Sequence, residues 1–467
     1  DVRDFAFTSS RKFIWDAMGV KFGNRTVMAM SYYPKEANPL YERYSTRAVA
    51  HTLRVYSKYT FEYPYPVAIS VEASNGMEYP MICFNYGRPE KDGTYTERIK
   101  YGMISVIIHE VGHFYFPMIV NSDERQWTWM DEGLNTYLQF ITEQEWDRNY
   151  PSRRGPPKNI VSYMKGNKNN ISPIMTNSES IYQFGNNAYG KPATALNILR
   201  ETIVGRELFD FAFKEYSKTW MFKHPTPSDF FRILENASAV DLDWFWRGWF
   251  YGTDPVDLSI DNVTWYTLDT KNPDIEFPLR KKKKDEEPIQ IWQERNKIDI
   301  QETVVEIDEV ANDFYNKYDP FEVTILDKEE FSRYRDSSVV EPREKEIYNA
   351  NLNYYEIKFS NVGGLVMPII LQLNYEDGTD FIIKIPAEIW KMNRKQITKI
   401  FATKKQVSSF TLDPKLETAD IDLLNNHWPR KMIQSKFELY KSKKLSRGQS
   451  SKENKMQRAK RAKKQSE

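Results

Sequence analysis

His109, Glu110 and His113 stand in the order His-Glu-x-x-His within an apolar stretch from Arg98 to Phe116. If that stretch is helical, four residues advance it by little more than one turn, so both imidazoles project from one face. Two imidazoles so placed can share one tetrahedral zinc ion. Glu110, roughly a quarter-turn away, can reach a water there without competing for the metal. A third ligand is then required. Glu132 answers to it, separated from His113 by eighteen residues, room for a helix end, a loop and a new first turn. Three protein ligands leave one position open, the pattern of a catalytic site. A lone His in an apolar helix is more often a core residue with a satisfied hydrogen bond. Two His and a Glu buried together are costly without a partner, and the downstream Glu completes the set.

The elements that must hold these residues can be read coarsely. Pro117 marks the end of the Arg98–Phe116 helix through its missing N–H and the restricted residue before it. A second helix, 131–146, opens with acidic residues that suit a helix N-terminus. Ser152 to Pro157 reads as a loop, and further helices are expected over 192–204, 206–219, 227–237 and 241–251. Val67 to Val71 reads as a strand ending near Gly76, and Thr26 to Met30 as another. Beyond Asp254 the pattern turns to β: 256–268, 302–307 and 321–326 alternate or run apolar, with 280–287 a charged loop between them. A second β block spans 351–412, its segments Tyr354–Phe359, Val366–Asn374 and Phe381–Ile385 punctuated by the hairpin signal Asp377-Gly378.

Composition excludes little. The 467 residues exceed one ordinary core, so several domains are expected. Lys+Arg (66) nearly balances Asp+Glu (65), which points to neither a nucleic-acid nor a membrane partner. The balance is uneven: eleven Lys or Arg against two Glu make residues 441–467 net +9, leaving about −8 elsewhere. No stretch approaches the ~20 apolar residues of a membrane helix. Cys83 is the single cysteine, so no intrachain disulfide can form. The chain opens at Asp1 without an initiator Met or an apolar leader and reads as a fragment or processed form; a secreted or periplasmic location is favoured slightly over a cytoplasmic one.

With the zinc motif in place, two further segments in the same order resemble the gluzincin aminopeptidases, the family of aminopeptidase N and leukotriene-A hydrolase, over about residues 1–255. Asn75-Gly76-Met77-Glu78-Tyr79 is similar to that family's Gly-x-Met-Glu-Asn exopeptidase signature, and Tyr189-Gly190-Lys191 to its Tyr-x-Lys segment. The resemblance implies that Glu78, with Gly76 and Met77 in the same segment, binds the substrate's free amine, with Glu132 lending its second oxygen. It also implies that Tyr189 donates its hydroxyl to the developing oxyanion; Tyr182 is the nearby rival. Two positions depart from the pattern. Tyr79 replaces the signature's Asn, and Asp131 replaces the Asn before the third ligand, either as an outer partner of a ligand His or as a helix N-cap.

The implied fold is α+β and multidomain. A remnant of an N-terminal β-domain covers 1–36, a thermolysin-like and mainly helical zinc peptidase domain 37–253, and a β-rich linker region 254–350. A small antiparallel β-sandwich follows over 351–428, with an unstructured basic tail over 429–467. The β-region resembles the C-terminal domains of a bacterial subset of the family. The implied activity is removal of N-terminal residues from peptides, with one zinc ion and Glu110 as general base. The alternatives are a zinc endopeptidase, an epoxide-opening relative, or a binding role confined to the C-terminal half.

Overall fold

A computed structural model describes residues 2–74, 76–336, 352–432 and 453–466, with a few isolated positions between 341 and 350. Asn75 of the signature and residues 433–452 of the tail lie outside the described residues.

The first sheet has five strands in the order β1-β2-β3-β5-β4. β1 (Ile14–Phe22) and β2 (Arg25–Tyr33) form an antiparallel hairpin, while β2 pairs in parallel with β3 (Val67–Glu72), Met28 opposite Val67. β3 pairs in parallel with β5 (Ile82–Asn85), and the three-residue β4 (Met77–Tyr79) closes the edge antiparallel to β5. The hairpin therefore shares one sheet with β3, β4 and β5, across the boundary expected at residue 36. A β2–β3 parallel pair needs a crossover, and helix α1 (Thr46–Tyr59) supplies it across the sheet.

Helix α2 (Glu97–Gly112) carries the zinc motif. Thr96 caps it, its hydroxyl accepting from Ile99 N at 3.1 Å, and Glu97 favours the positive end of the dipole. Met103, Ile104, Ile107, Ile108 and Val111 are all buried. The helix ends at Gly112 rather than Phe116, because the turns into Pro117 have already left the α ladder. His113 N still donates to His109 O at 3.1 Å, so the one-turn spacing survives. Helix α3 (Leu134–Trp146) follows a π-helical turn, Trp129–Gly133. At Gly112 an added Cβ would fall inside the radii of Asn135 Oδ1 and Tyr56 Oη, so glycine is what lets α1 and α3 close on α2.

Helices Lys191–Ile198, Arg206–Thr219, Pro227–Ser238 and Asp243–Trp249 complete the helical half. Beyond it, β6 (Leu258–Tyr266) pairs with β7 (Asn353–Asn361), and β10 (Gln396–Thr403) pairs with β7 on its other side. A four-stranded sheet, β12-β11-β8-β9, packs against these three: Tyr355 lies 5.3 Å from Phe410, and its hydroxyl accepts from Val407 N at 2.8 Å. β8 is Ile369–Tyr375, β9 Asp380–Ile385, β11 Val407–Leu412 and β12 His427–Trp428.

Two expectations are overturned here. The sandwich includes β6, and the chain between β6 and β7 is not β-rich. Residues 280–287, 302–307 and 321–326 contribute instead to helices, at Pro273–Asp285, Val304–Ile307 and Ile325–Arg335. Among the described residues from 273 to 335, only Pro273 is buried, so no sheet partner or core imposes strand geometry there. The basic tail departs as well. Lys455–Ser466 is a helix beside the turn preceding α2, with Asn454 Nδ2 3.0 Å from Thr94 Oγ1 and Gln457 Nε2 3.2 Å from Asp92 Oδ2. No helix among the described residues is long and apolar enough to cross a membrane.

The two glycines of α2 give opposite expectations. Gly102 faces open space, so Gly102→Ala should stabilise the chain by about 0.5–1 kcal/mol, whereas Gly112→Ala should cost about 1–3 kcal/mol. Urea midpoints of both variants against the parent check the pair of signs.

Candidate metal centre

The structure brings His109, His113 and Glu132 together where α2, the Trp129–Gly133 turn and α3 meet. His109 Nε2 lies 3.0 Å from His113 Nε2 and 3.0 Å from Glu132 Oε2, and His113 Nε2 lies 3.3 Å from that same oxygen. Ligands about 2.0–2.1 Å from a tetrahedral zinc are roughly 3.3 Å from one another, so the triangle has the right size.

The far sides of the imidazoles fix their protonation. His109 Nδ1 faces Gln139 Oε1 at 2.9 Å; the Gln139 amide donates at 2.9 Å to Glu143 Oε1, which holds that orientation. Glu143 in turn accepts from Ser105 Oγ at 2.7 Å and from Ser152 Oγ. His113 Nδ1 donates to Phe116 O at 2.9 Å, with Asp131 Oδ1 also 2.9 Å away but off the N–H axis. Both Nδ1 atoms thus face acceptors and carry protons, so both Nε2 atoms turn inward beside a carboxylate. That donor set repels itself unless a cation sits among it. The residues fit a zinc ion.

The acidic side of the site is equally specific. Glu78, Glu110 and His113 present polar atoms within 4.8 Å of one another. Burial raises the Glu110 carboxyl well above its ordinary range; His113 opposes this and Glu78 adds to it. One Glu110 oxygen is buried without a hydrogen-bond partner, the state of an acceptor aimed into a cleft. A Cβ at position 76 would collide with Glu110 Oε1 and Val106, so only glycine lets the strand edge pass this close. Met77 is half-exposed beside it, and β4 has a neighbour on one side alone.

Tyr189 enters from a second π-helical turn, Gly185–Gly190. Its hydroxyl donates to Glu132 Oε1, and its ring stacks on His109 with centroids 5.7 Å apart. Gly133 makes this possible, since a Cβ there would lie 2.6 Å from Pro192 Cγ and force the two turns apart. Tyr182, the rival, is 59% exposed, far too open for a buried metal site. Asp131 lies inside the turn that begins after Thr128, in contact with His113 and not at an N-cap. Lys191 is fully buried, with Nζ 2.9 Å from Gly252 O; burial lowers it to about 7. This bond anchors the helix that begins immediately after Tyr189.

Asn135, Gln139 and Glu143 were not legible as functional residues, although a signal existed. Glu132, Asn135, Gln139 and Glu143 recur at helical spacing as one polar stripe, facing Ser105 and His109 of α2.

Residues 44–249, which include all these groups, match the family model described as Peptidase family M1 domain. Glutamyl aminopeptidase of Sus scrofa is 29% identical over 144 residues, covering 30% of this chain and 15% of that protein. Aminopeptidase N of Streptomyces lividans is 25% identical over 187 residues, covering 36% of this chain and 22% of its own length. The chain thus spans under a third of these relatives. In fold, it is similar to the crystal structure of Legionella pneumophila aminopeptidase A in complex with aspartic acid. That match has a TM-score of 0.53 at 15% identity and covers 87% of this chain and 38% of that one.

Two outcomes follow for zinc itself. Gln139→Leu removes the acceptor that orients His109 and should weaken zinc affinity about 10–100-fold, read by competition with a chromophoric chelator. His113, in a chelator-stripped chain, is opposed by burial but held protonated by Asp131, Glu78 and Glu132, so its pKa lies well above its ordinary 6.5. Zinc must displace that proton. Affinity should therefore rise with pH through neutrality, and calorimetric titration at pH 7 should show release of about one proton in buffers of differing ionisation heat.

Proposed function

We propose that the chain, which is similar to the Peptidase family M1 domain over residues 44–249, is a zinc-dependent aminopeptidase of that family. The observation that carries this reading is the pairing of two features in one cleft. A zinc-sized His/His/Glu triangle lies beside a second carboxylate pair, Glu78 and Glu110, at the open edge of a sheet. The catalytic half is read as thermolysin-like in arrangement.

His109, His113 and Glu132 would hold one zinc ion, whose chemistry there is Lewis-acid polarisation of the scissile carbonyl. Glu110, desolvated and with an unpartnered oxygen, takes the proton of the attacking water and returns it to the leaving amine. Tyr189 turns its O–H from Glu132 Oε1 to the developing oxyanion. Glu78 stands where a cation relieves two adjacent carboxylates, and a substrate's α-ammonium is such a cation. The free edge of β4 can align the substrate backbone by strand addition. These steps favour an exopeptidase, because a blocked N-terminus would leave Glu78 and Glu110 facing each other without a counter-charge.

The test has two arms. Glu110→Gln should retain zinc and lose at least about 100-fold in kcat; full turnover in that variant refutes the assignment. Glu78→Gln should raise KM for free peptides about tenfold or more, with a smaller effect on kcat. N-acetylated peptides should resist cleavage, and their efficient hydrolysis would instead establish an endopeptidase.

A further inference from the structure

Arg154 has no task in the chemistry described so far. Its guanidinium lies 4.2 Å from the centroid of the Tyr189 ring, the ring that also stacks on the ligand His109. Among the described residues it makes no hydrogen bond or ion pair. The other arginines drawn into the fold have acceptors: Arg200 grips Asp210 at 2.6 and 2.9 Å, and Arg25 donates to Pro64 O at 2.7 Å and to Tyr63 O. The carboxylates whose charge Arg154 feels are committed elsewhere. Glu132 is shared between Tyr189 and the two histidines, and Glu143 between Ser105, Ser152 and Gln139.

The loop bearing Arg154 is fixed on both sides. Ser152 is bonded to Glu143. Gly155, at φ +102°, is pressed on the Phe140 ring so closely that a Cβ would collide with it, and its carbonyl accepts from Asn197 Nδ2 at 3.3 Å. A half-buried guanidinium with five donors, held rigidly and given no acceptor, is arranged for an acceptor from outside the chain.

We propose that Arg154 is a specificity-determining residue that binds a carboxylate of the substrate, resting on the aminopeptidase reading above. Two carboxylates could reach it: the side chain of an acidic N-terminal residue, or the C-terminal group of a short peptide. A planar guanidinium suits either through paired N–H···O bonds.

Binding can be read without turnover. Zinc-loaded chain carrying Glu110→Gln, with and without Arg154→Gln, is titrated calorimetrically with Glu-Ala-amide, Ala-Ala and Ala-Ala-amide. The inference expects Arg154→Gln to raise Kd about 10–100-fold for a carboxylate-bearing peptide while leaving Ala-Ala-amide nearly unchanged. Selective loss for Glu-Ala-amide assigns the side-chain carboxylate, and selective loss for Ala-Ala assigns the C-terminus. Arg154→Lys should recover part of the loss. Because each variant is scored against its own neutral peptide, a partly misfolded preparation cannot imitate the result. Equal changes for all three peptides, or none, overturn the inference, as does failure of every peptide to bind. Glu110 turnover assays report separately on the aminopeptidase reading.

Discussion

Two imidazole Nε2 atoms and a carboxylate oxygen meet within 3.0–3.3 Å in a buried setting, and the partners on the far side of each ring keep both Nε2 atoms turned inward. Such a cluster is electrostatically untenable in a low-dielectric interior without a cation. Much of the neighbouring structure answers to that demand. Glu143 fixes the Gln139 amide, Gln139 fixes His109, and the Phe116 carbonyl together with Asp131 fixes His113. Each layer restricts a freedom that the next layer inward could not otherwise lose.

Bringing these layers together depends on close backbone approach at three glycines. Gly112 lets α1 and α3 reach α2, Gly133 lets the Glu132 turn meet the Tyr189 turn, and Gly76 lets the sheet edge pass over Glu110. Both Glu132 and Tyr189 come from π-helical turns, whose extra residue per turn displaces a side chain from the regular helical face. The cleft is thus built by irregularities inserted into otherwise well-packed helices. Lys191, buried and bonded to the Gly252 carbonyl, fastens the outermost of them to the segment just beyond the last helix of this half.

The C-terminal half follows a different rule. Its sandwich has a conventional core, with Tyr355, Ile357 and Phe359 facing Leu371, Leu373 and Phe410. Between β6 and β7, however, the chain leaves the core, and side chains such as Ile298 and Val310 are 81% and 91% exposed. An apolar run was read there as β because apolar runs in globular chains usually mark buried strands. With nothing to pair against, the capping residues decide instead. Thr303 with Glu306, and Thr324 with Asp327, form capping boxes that start short helices.

By itself the sequence determined that His109, Glu110 and His113 stand at one helical end with both imidazoles on one face, since their geometry follows from the helix pitch. The Glu78 and Tyr189 segments were legible only through resemblance, because a carboxylate on a strand edge and one of 29 tyrosines carry no signature of their own. Tertiary structure alone decided that residues 14–33 share a sheet with β3, β4 and β5, that Asp131 touches His113, and that Arg154 lies unpaired over Tyr189. Those relations join segments with no periodicity in common. Packing sets them, through glycine contacts and π-helical turns that local spacing does not encode.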